Sequence, residues 1–83
     1  MKNEEIKSKV LGILATVVPE LEPAELASDK SIRDQLDIDS VDFLNLVVGL
    51  SKTFGIEIPE TDYRHIYTLD SCVAYIAAHA VGS

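Results

Sequence analysis

The stretch LDIDSVDFLNLVVGL, Leu36 to Leu50, sets an Asp-Ser pair at the head of an apolar run. A helix turns about 100° per residue. On that wheel Phe43, Leu46, Val47, Leu50 and Phe54 gather on one side. Such a stripe is by itself as wide as a globular helix needs for its core contacts. Val41, Leu44 and Val48 make a second stripe elsewhere on the wheel, and Asp42, Asn45 and Gly49 form a polar or small side. The spacing predicts a helix over 40–54, stopped by Gly55. Two fates are open to the second stripe. The preceding loop covers it, or it stays exposed and docks into partners through the i, i+3, i+7 spacing used by helices in grooves.

Upstream, the pattern predicts a helix from Asn3 to Val18. Asn3 is its expected N-cap, Glu4 and Glu5 suit its positive end, and Pro19 stops it. Ile6, Val10, Ile13, Leu14 and Val17 form its apolar stripe. Pro19 to Asp39 reads as a long connection with one short turn at PAEL, Pro23 to Leu26. Connections beyond about 12–15 residues are uncommon unless they pack down or have a task. Leu21, Leu26, Ile32 and Leu36 are spaced as its anchors. Downstream, IEIPETD is an extended linker, PETDYRHI a short third helix with Pro59 or Glu60 near its start, and a last helix runs from Leu69 or Asp70 to Ala80. Thr68 or Asp70 is the candidate cap of that helix, and Leu69, Cys72, Val73, Ile76, Ala77 and Ala80 make its stripe. Alternating strand pattern is nearly absent. The expected fold is therefore an all-α, four-helix bundle with a long first loop, formed as a single domain over residues 1–83.

A chain of 83 residues has room for one core, and at this size it buries only roughly 60–65% of its unfolded surface. Its 47% apolar content argues against disorder. One cysteine, Cys72, excludes an intrachain disulfide and a four-cysteine metal site. No uninterrupted apolar segment reaches membrane-spanning length, the start does not read as a signal peptide, and a cytoplasmic monomer with no membrane insertion is expected. Seven basic against fourteen acidic side chains leave −7, which disfavours nucleic acid and anionic lipid and favours basic patches on other proteins. The segment from Glu20 to Asp42 holds eight acids against Lys30 and Arg33, a net −6 that a solvated loop explains equally well.

Asp39 stands where an N-cap belongs, and Asp42, three residues on, approximates a capping box. Ser40 is then the first residue inside the helix, with its hydroxyl at the open end. Alone, an Asp-Ser pair is a common helix start. A nucleophilic enzyme would need a base and oxyanion donors; only His65 and His79 are available as histidine bases, and neither sits in a hydrolase motif. A helix N-terminus does suit an attached phosphate, because its free N–H groups and dipole favour negative charge. Ser40 thus reads as a modification acceptor.

The segment Leu36 to Pro59, LDIDSVDFLNLVVGLSKTFGIEIP, resembles the core of acyl carrier proteins and of the carrier domains of polyketide and non-ribosomal peptide synthesis. Asp39-Ser40-Val41 stands at the family's Asp-Ser-Leu, followed by Phe54 and Ile56-Glu57-Ile58-Pro59. The order of helices agrees along most of the chain. The resemblance implies that Ser40 carries 4′-phosphopantetheine, transferred from coenzyme A by a magnesium-dependent phosphopantetheinyl transferase, with Asp39 as motif partner. It implies acyl cargo held as a thioester, no active site, and an apolar bundle interior able to receive a growing chain. Val41, Asp42, Leu44 and Val48 fall where the family's second helix meets acyl-loading and acyl-processing enzymes. Aminoacyl or D-alanyl cargo, and an unmodified helical interaction domain, remain open.

Two departures stand out. Asp37 and Ile38 replace the family's usual glycine and small residue, suggesting a bulky, charged approach to the serine. The second helix lacks the usual glutamates; its Asp42 and Lys52 cancel. That balance points to a specialised stand-alone carrier for polyketide, unusual lipid or single-acyl delivery. Of the remaining residues, Cys72 reads as a buried core thiol, and His65 and His79 lack the co-ligands of a metal site. Tyr63, Tyr67 and Tyr75 read as packing residues with surface hydroxyls. Gly49 in mid-helix reads as a close approach of a partner or the arm, or as a tolerated flaw.

Overall fold

The computed structural model describes residues 2–80. Four α-helices, α1 (Asn3–Val17), α2 (Ile32–Leu36), α3 (Ser40–Phe54) and α4 (Leu69–His79), are joined by 3₁₀ segments at Pro23–Glu25 and Glu60–Ile66. Among the described residues there is no strand, only an isolated antiparallel bridge between Ser31 and Thr68.

Helix α1 buries Ile6, Val10 and Leu14, with Ile13 and Val17 half-buried beside them. The Asn3 cap is corrected. Lys2 is the N-cap, extended at φ −75° and ψ 152°, and makes no side-chain capping bond. Its carbonyl accepts the Ile6 N–H at 3.0 Å, which starts the helix one residue earlier than the side chain of Asn3 suggested.

The long connection contains the helix α2, which hydrophobic periodicity missed because its five residues span little more than one turn. Ser31 caps it, its Oγ accepting the Asp34 N–H at 3.3 Å. The side chain of Gln35 ties the loop together. Its Oε1 accepts from the Ala27 N–H at 2.7 Å, and its Nε2 donates to the carbonyls of Ala27 at 2.9 Å and Lys30 at 3.1 Å. Ile32 is fully buried and Leu21, Leu26 and Leu36 pack half-buried on the core, so the four aliphatics do anchor the loop. The Ile32 N–H reaches the Tyr67 carbonyl at 2.7 Å and the Asp70 N–H the Ser28 carbonyl at 2.9 Å, fastening the loop to the start of α4.

Helix α1 packs against both α3 and α4. Gly49 sets how closely α1 meets α3: a Cβ there would lie 2.7 Å from Ile13 Cγ2. The neighbour Gly49 accommodates is therefore α1. Gly55 caps α3 at φ 65°, a left-handed conformation that glycine adopts at little cost. Just beyond it Ser51 Oγ donates to the Ile56 carbonyl, and Ile56 is buried.

The short third helix is 3₁₀ throughout, led in by Pro59. Thr68 caps α4 in a reciprocal box with Ser71, accepting its N–H at 3.1 Å. Leu69, Cys72, Val73 and Ile76 are buried as expected, whereas Ala77 is exposed and Tyr75 takes a buried place.

Candidate functional site

The open end of α3 is built from three short pieces of chain. Asp39, extended at φ −88° and ψ −177°, is the N-cap; its Oδ1 accepts the Asp42 N–H at 2.8 Å and its carbonyl the Phe43 N–H at 3.0 Å. Among the described residues Asp42 returns no side-chain bond to Asp39, so the capping box is half-formed. The Ser40 and Val41 N–H groups, in the unsatisfied first turn common to all helices, find no acceptor among the described residues. Ser40 is exposed.

Helix α2 delivers Arg33 to this end. Its Nη2 donates to Ser40 Oγ at 3.4 Å, and its guanidinium carbon lies 5.6 Å from the centroid of the Phe43 ring. Phe43 is in turn gripped edge-on by Tyr63 and Tyr67, at 6.0 and 5.6 Å between ring centroids. What brings α2 round to α3 is Asp37, left-handed at φ 51° and ψ 43°. Aspartate is one of the few residues other than glycine that enter this region, because a short polar side chain can hydrogen-bond locally there. Ile38 then turns inward and is buried. The expected bulky approach is thereby corrected in part: Ile38 belongs to the core, and the exposed Asp37 carboxylate is what remains on the surface.

Arg33 escaped the sequence reading, since seven residues separate it from Ser40 and the left-handed turn between them leaves no periodicity. The signal that could have found it is Ser31-x-x-Asp34, a capping pattern that announces a helix turn carrying Arg33.

Beside the tip, Val41, Leu44 and Val48 are 65%, 47% and 42% exposed, while Phe43, Leu46, Val47 and Leu50 on the other face are buried. The loop before α3 does not cover the second stripe.

The two histidines, distant in sequence, meet on one ring. His65 and His79 both stack on Tyr75, at 5.7 and 4.1 Å between centroids. The Tyr75 hydroxyl donates to Asp62 Oδ2 at 2.8 Å, and His79 Nδ1 pairs with the Tyr75 carbonyl at 2.8 Å. Desolvation, then the hydrogen bond and negative charge of Asp62, push the Tyr75 phenol up to about 12. Burial likewise raises the Cys72 thiol to about 12, which leaves it protonated and inert at neutral pH. No cluster of three or more His, Cys, Asp or Glu suited to a metal ion occurs among the described residues. No helix among them is long and apolar enough to cross a membrane.

Residues 8–76 match the sequence model of the family described as "Phosphopantetheine attachment site". An acyl carrier protein of Renibacterium salmoninarum is 39% identical over 79 residues, covering 92% of this chain and 93% of its own. One from Lactobacillus johnsonii is 34% identical over 79 residues, covering 95% and 98%. A solved acyl carrier protein from Enterococcus faecalis superposes with a TM-score of 0.78 at 31% identity, over 94% of this chain and 98% of that one. The fold, a family match over most of the chain and relatives covered along nearly all of their length agree, and the chain belongs to the phosphopantetheine-attachment family, that of the acyl carrier proteins.

Proposed function

We propose that this protein carries acyl groups as thioesters on a 4′-phosphopantetheine arm joined to Ser40, and passes them between enzymes of lipid, fatty-acid or polyketide synthesis. The observation that carries the reading is the exposed Ser40 hydroxyl at the first position of α3, held there by the Asp39 cap, inside the matched region.

The residues present fit such a group. A phosphodiester on Ser40 Oγ brings one negative charge to a helix end whose first N–H groups lack acceptors, where the dipole favours an anion. Asp39 does not compete for that place, because its carboxylate is turned onto the Asp42 N–H. The group supplies a flexible arm and a terminal thiol for thioester exchange. The buried, protonated Cys72 cannot stand in for that thiol. On this reading the chain has no active site of its own. Its residues hold the serine in the open, keep the fold rigid behind it and present a surface to be recognised. A tether of this kind acts by raising the effective concentration of cargo at each partner.

Val41, Asp42, Leu44 and Val48 form the docking surface for the phosphopantetheinyl transferase and the acyl-handling enzymes, and the chain works as one monomeric carrier domain. The exposed apolar stripe supports this, and the charge balance of α3 narrows it. With Asp42 and Lys52 cancelling, contact along the helix relies on apolar complementarity more than on a basic patch. Such a surface suits a specialised pathway and its dedicated enzymes. Efficient turnover by ordinary fatty-acid elongation enzymes would contradict that part.

Intact-mass measurement after co-expression with a broad-range phosphopantetheinyl transferase tests the central statement. The chain is expected to gain the mass of one phosphopantetheine, and Ser40→Ala to gain none. A wild-type chain of unchanged mass, folded and exposed to active transferase, refutes the carrier reading and leaves an unmodified interaction domain.

A further inference from the structure

We propose that Arg33 is the positioning residue for the phosphodiester, pairing with its charged oxygens and holding the root of the arm against α2. This deepens the Ser40 reading and rests on it. The guanidinium already donates to the oxygen on which the phosphorus would be placed, at 3.4 Å. The phosphate is bonded to that oxygen, so its non-bridging oxygens come within reach of the same fork of donors. Arginine presents several N–H groups in one plane, a geometry matched to phosphate.

Three further observations favour this role. Arg33 is half-buried with its carbon atom over the Phe43 ring, and Phe43 is fixed by Tyr63 and Tyr67, so the guanidinium is held in place before any phosphate arrives. Among the described residues no carboxylate forms an ion pair with it, although Asp34, Asp37, Asp39 and Asp42 lie close by in the sequence. It is also one of only two cations in a segment of net −6. A phosphodiester at Ser40 would otherwise add its charge to that run of acids; Arg33, already in contact with the Ser40 hydroxyl, offsets it.

The test compares melting midpoints of apo and phosphopantetheinylated protein for the wild type, Arg33→Gln and Arg33→Lys, each form verified by intact mass. A merely structural Arg33, stacking on Phe43, lowers apo and modified midpoints equally. A phosphate partner makes the modified-minus-apo difference more negative in Arg33→Gln than in the wild type, by roughly 3 °C at low ionic strength for a domain of this size. Arg33→Lys restores part of that gap, and about 0.5 M salt closes most of it, as expected for a partly exposed charge pair. Should Arg33→Gln fail to fold, the wild-type Arg33 Nε–H resonance gives the readout, expected to shift between apo and modified protein. Equal midpoint differences in all three proteins, or an Arg33 resonance that modification does not move, overturn the assignment while Ser40 keeps its mass gain. A Ser40 that never gains mass removes both statements together.

Discussion

Helix α3 has two apolar faces made of nearly the same residue types, and they meet opposite fates. Phe43, Leu46, Val47 and Leu50 vanish into the core, while Val41, Leu44 and Val48 stand open a quarter to a half turn away. The first set is pressed by α1, which approaches so closely that Gly49 has no room for a Cβ. The second set has nothing laid over it, because the loop before α3 spends its own aliphatics on the core below. Hydrophobicity alone therefore does not say which side of a helix is inside. What decides is where the neighbouring segments find their anchors.

If the buried face is the one that holds the fold, truncating it should be far costlier than changing the open face. Leu46→Ala, at a fully buried position, is expected to lower the unfolding free energy by about 2–5 kcal/mol in a denaturant titration. A loss below about 1 kcal/mol would mean that the core collapses around the gap and that the buried face holds the fold little more firmly than the open one.

Alkaline pH sharpens the same contrast at α4, where burial raises two acids. The Cys72 thiol goes from 9.0 to about 12 and the Tyr75 phenol from 10.0 to about 12. Both pKa values are higher folded than unfolded, so the stabilisation is complete below the unfolded values and is lost as pH climbs towards about 12. Stability should start to fall near pH 9, by up to about 1.4 kcal/mol per pH unit for the Cys72 thiol, with a smaller contribution from Tyr75 beginning near pH 10. Replacing Cys72 with Val should remove the earlier part of that decline. A flat profile between pH 9 and 11 would show that neither side chain is held as described.

The two mid-helix glycines make a smaller and cleaner comparison. Nothing lies within 4 Å of a Cβ built on Gly12, so Gly12→Ala should stabilise the protein by up to about 1 kcal/mol through helix propensity. Gly49→Ala has the same propensity gain but meets Ile13, and should come out destabilising by about 1 kcal/mol once overpacking is included. Adding Ile13→Ala to Gly49→Ala should show favourable coupling between the two positions. Equal gains at both glycines would deny the tight contact of α1 with α3.

Much of this was legible in the residues. Helix α3 and its Gly55 stop, the loop anchors and the surplus apolar stripe all follow from periodicity and end signals, which act locally; the same signals narrow the α4 cap to Thr68 or Asp70, and the fold selects Thr68. What escaped depended on contacts between distant residues or on elements too short to show a period. Helix α2 is five residues long. Arg33 reaches Ser40 only because Asp37 turns left-handed between them. His65, Tyr75 and His79 stack because the 3₁₀ segment folds onto α4, a placement no spacing announces. Gly49 reads in the sequence as a flaw or as a close approach of a partner or the arm, and only the fold sets Ile13 of α1 against it. Asp39 as cap and Ser40 as the first residue of α3 were readable because capping chemistry is confined to four consecutive residues.

The smallest expected effect on stability is also the most telling, and belongs to Val48→Asp on the open face. Its melting midpoint should stay within about 4 °C of the wild type, as for surface changes worth about 0.5 kcal/mol. With coenzyme A and a broad-range phosphopantetheinyl transferase, the same variant should lose about tenfold or more in kcat/KM for loading Ser40, the size expected when a docking anchor worth about 1.4 kcal/mol is removed. A protein that melts far lower yet is loaded at the wild-type rate would contradict the division of α3 into a face that holds the fold and a face that meets partners.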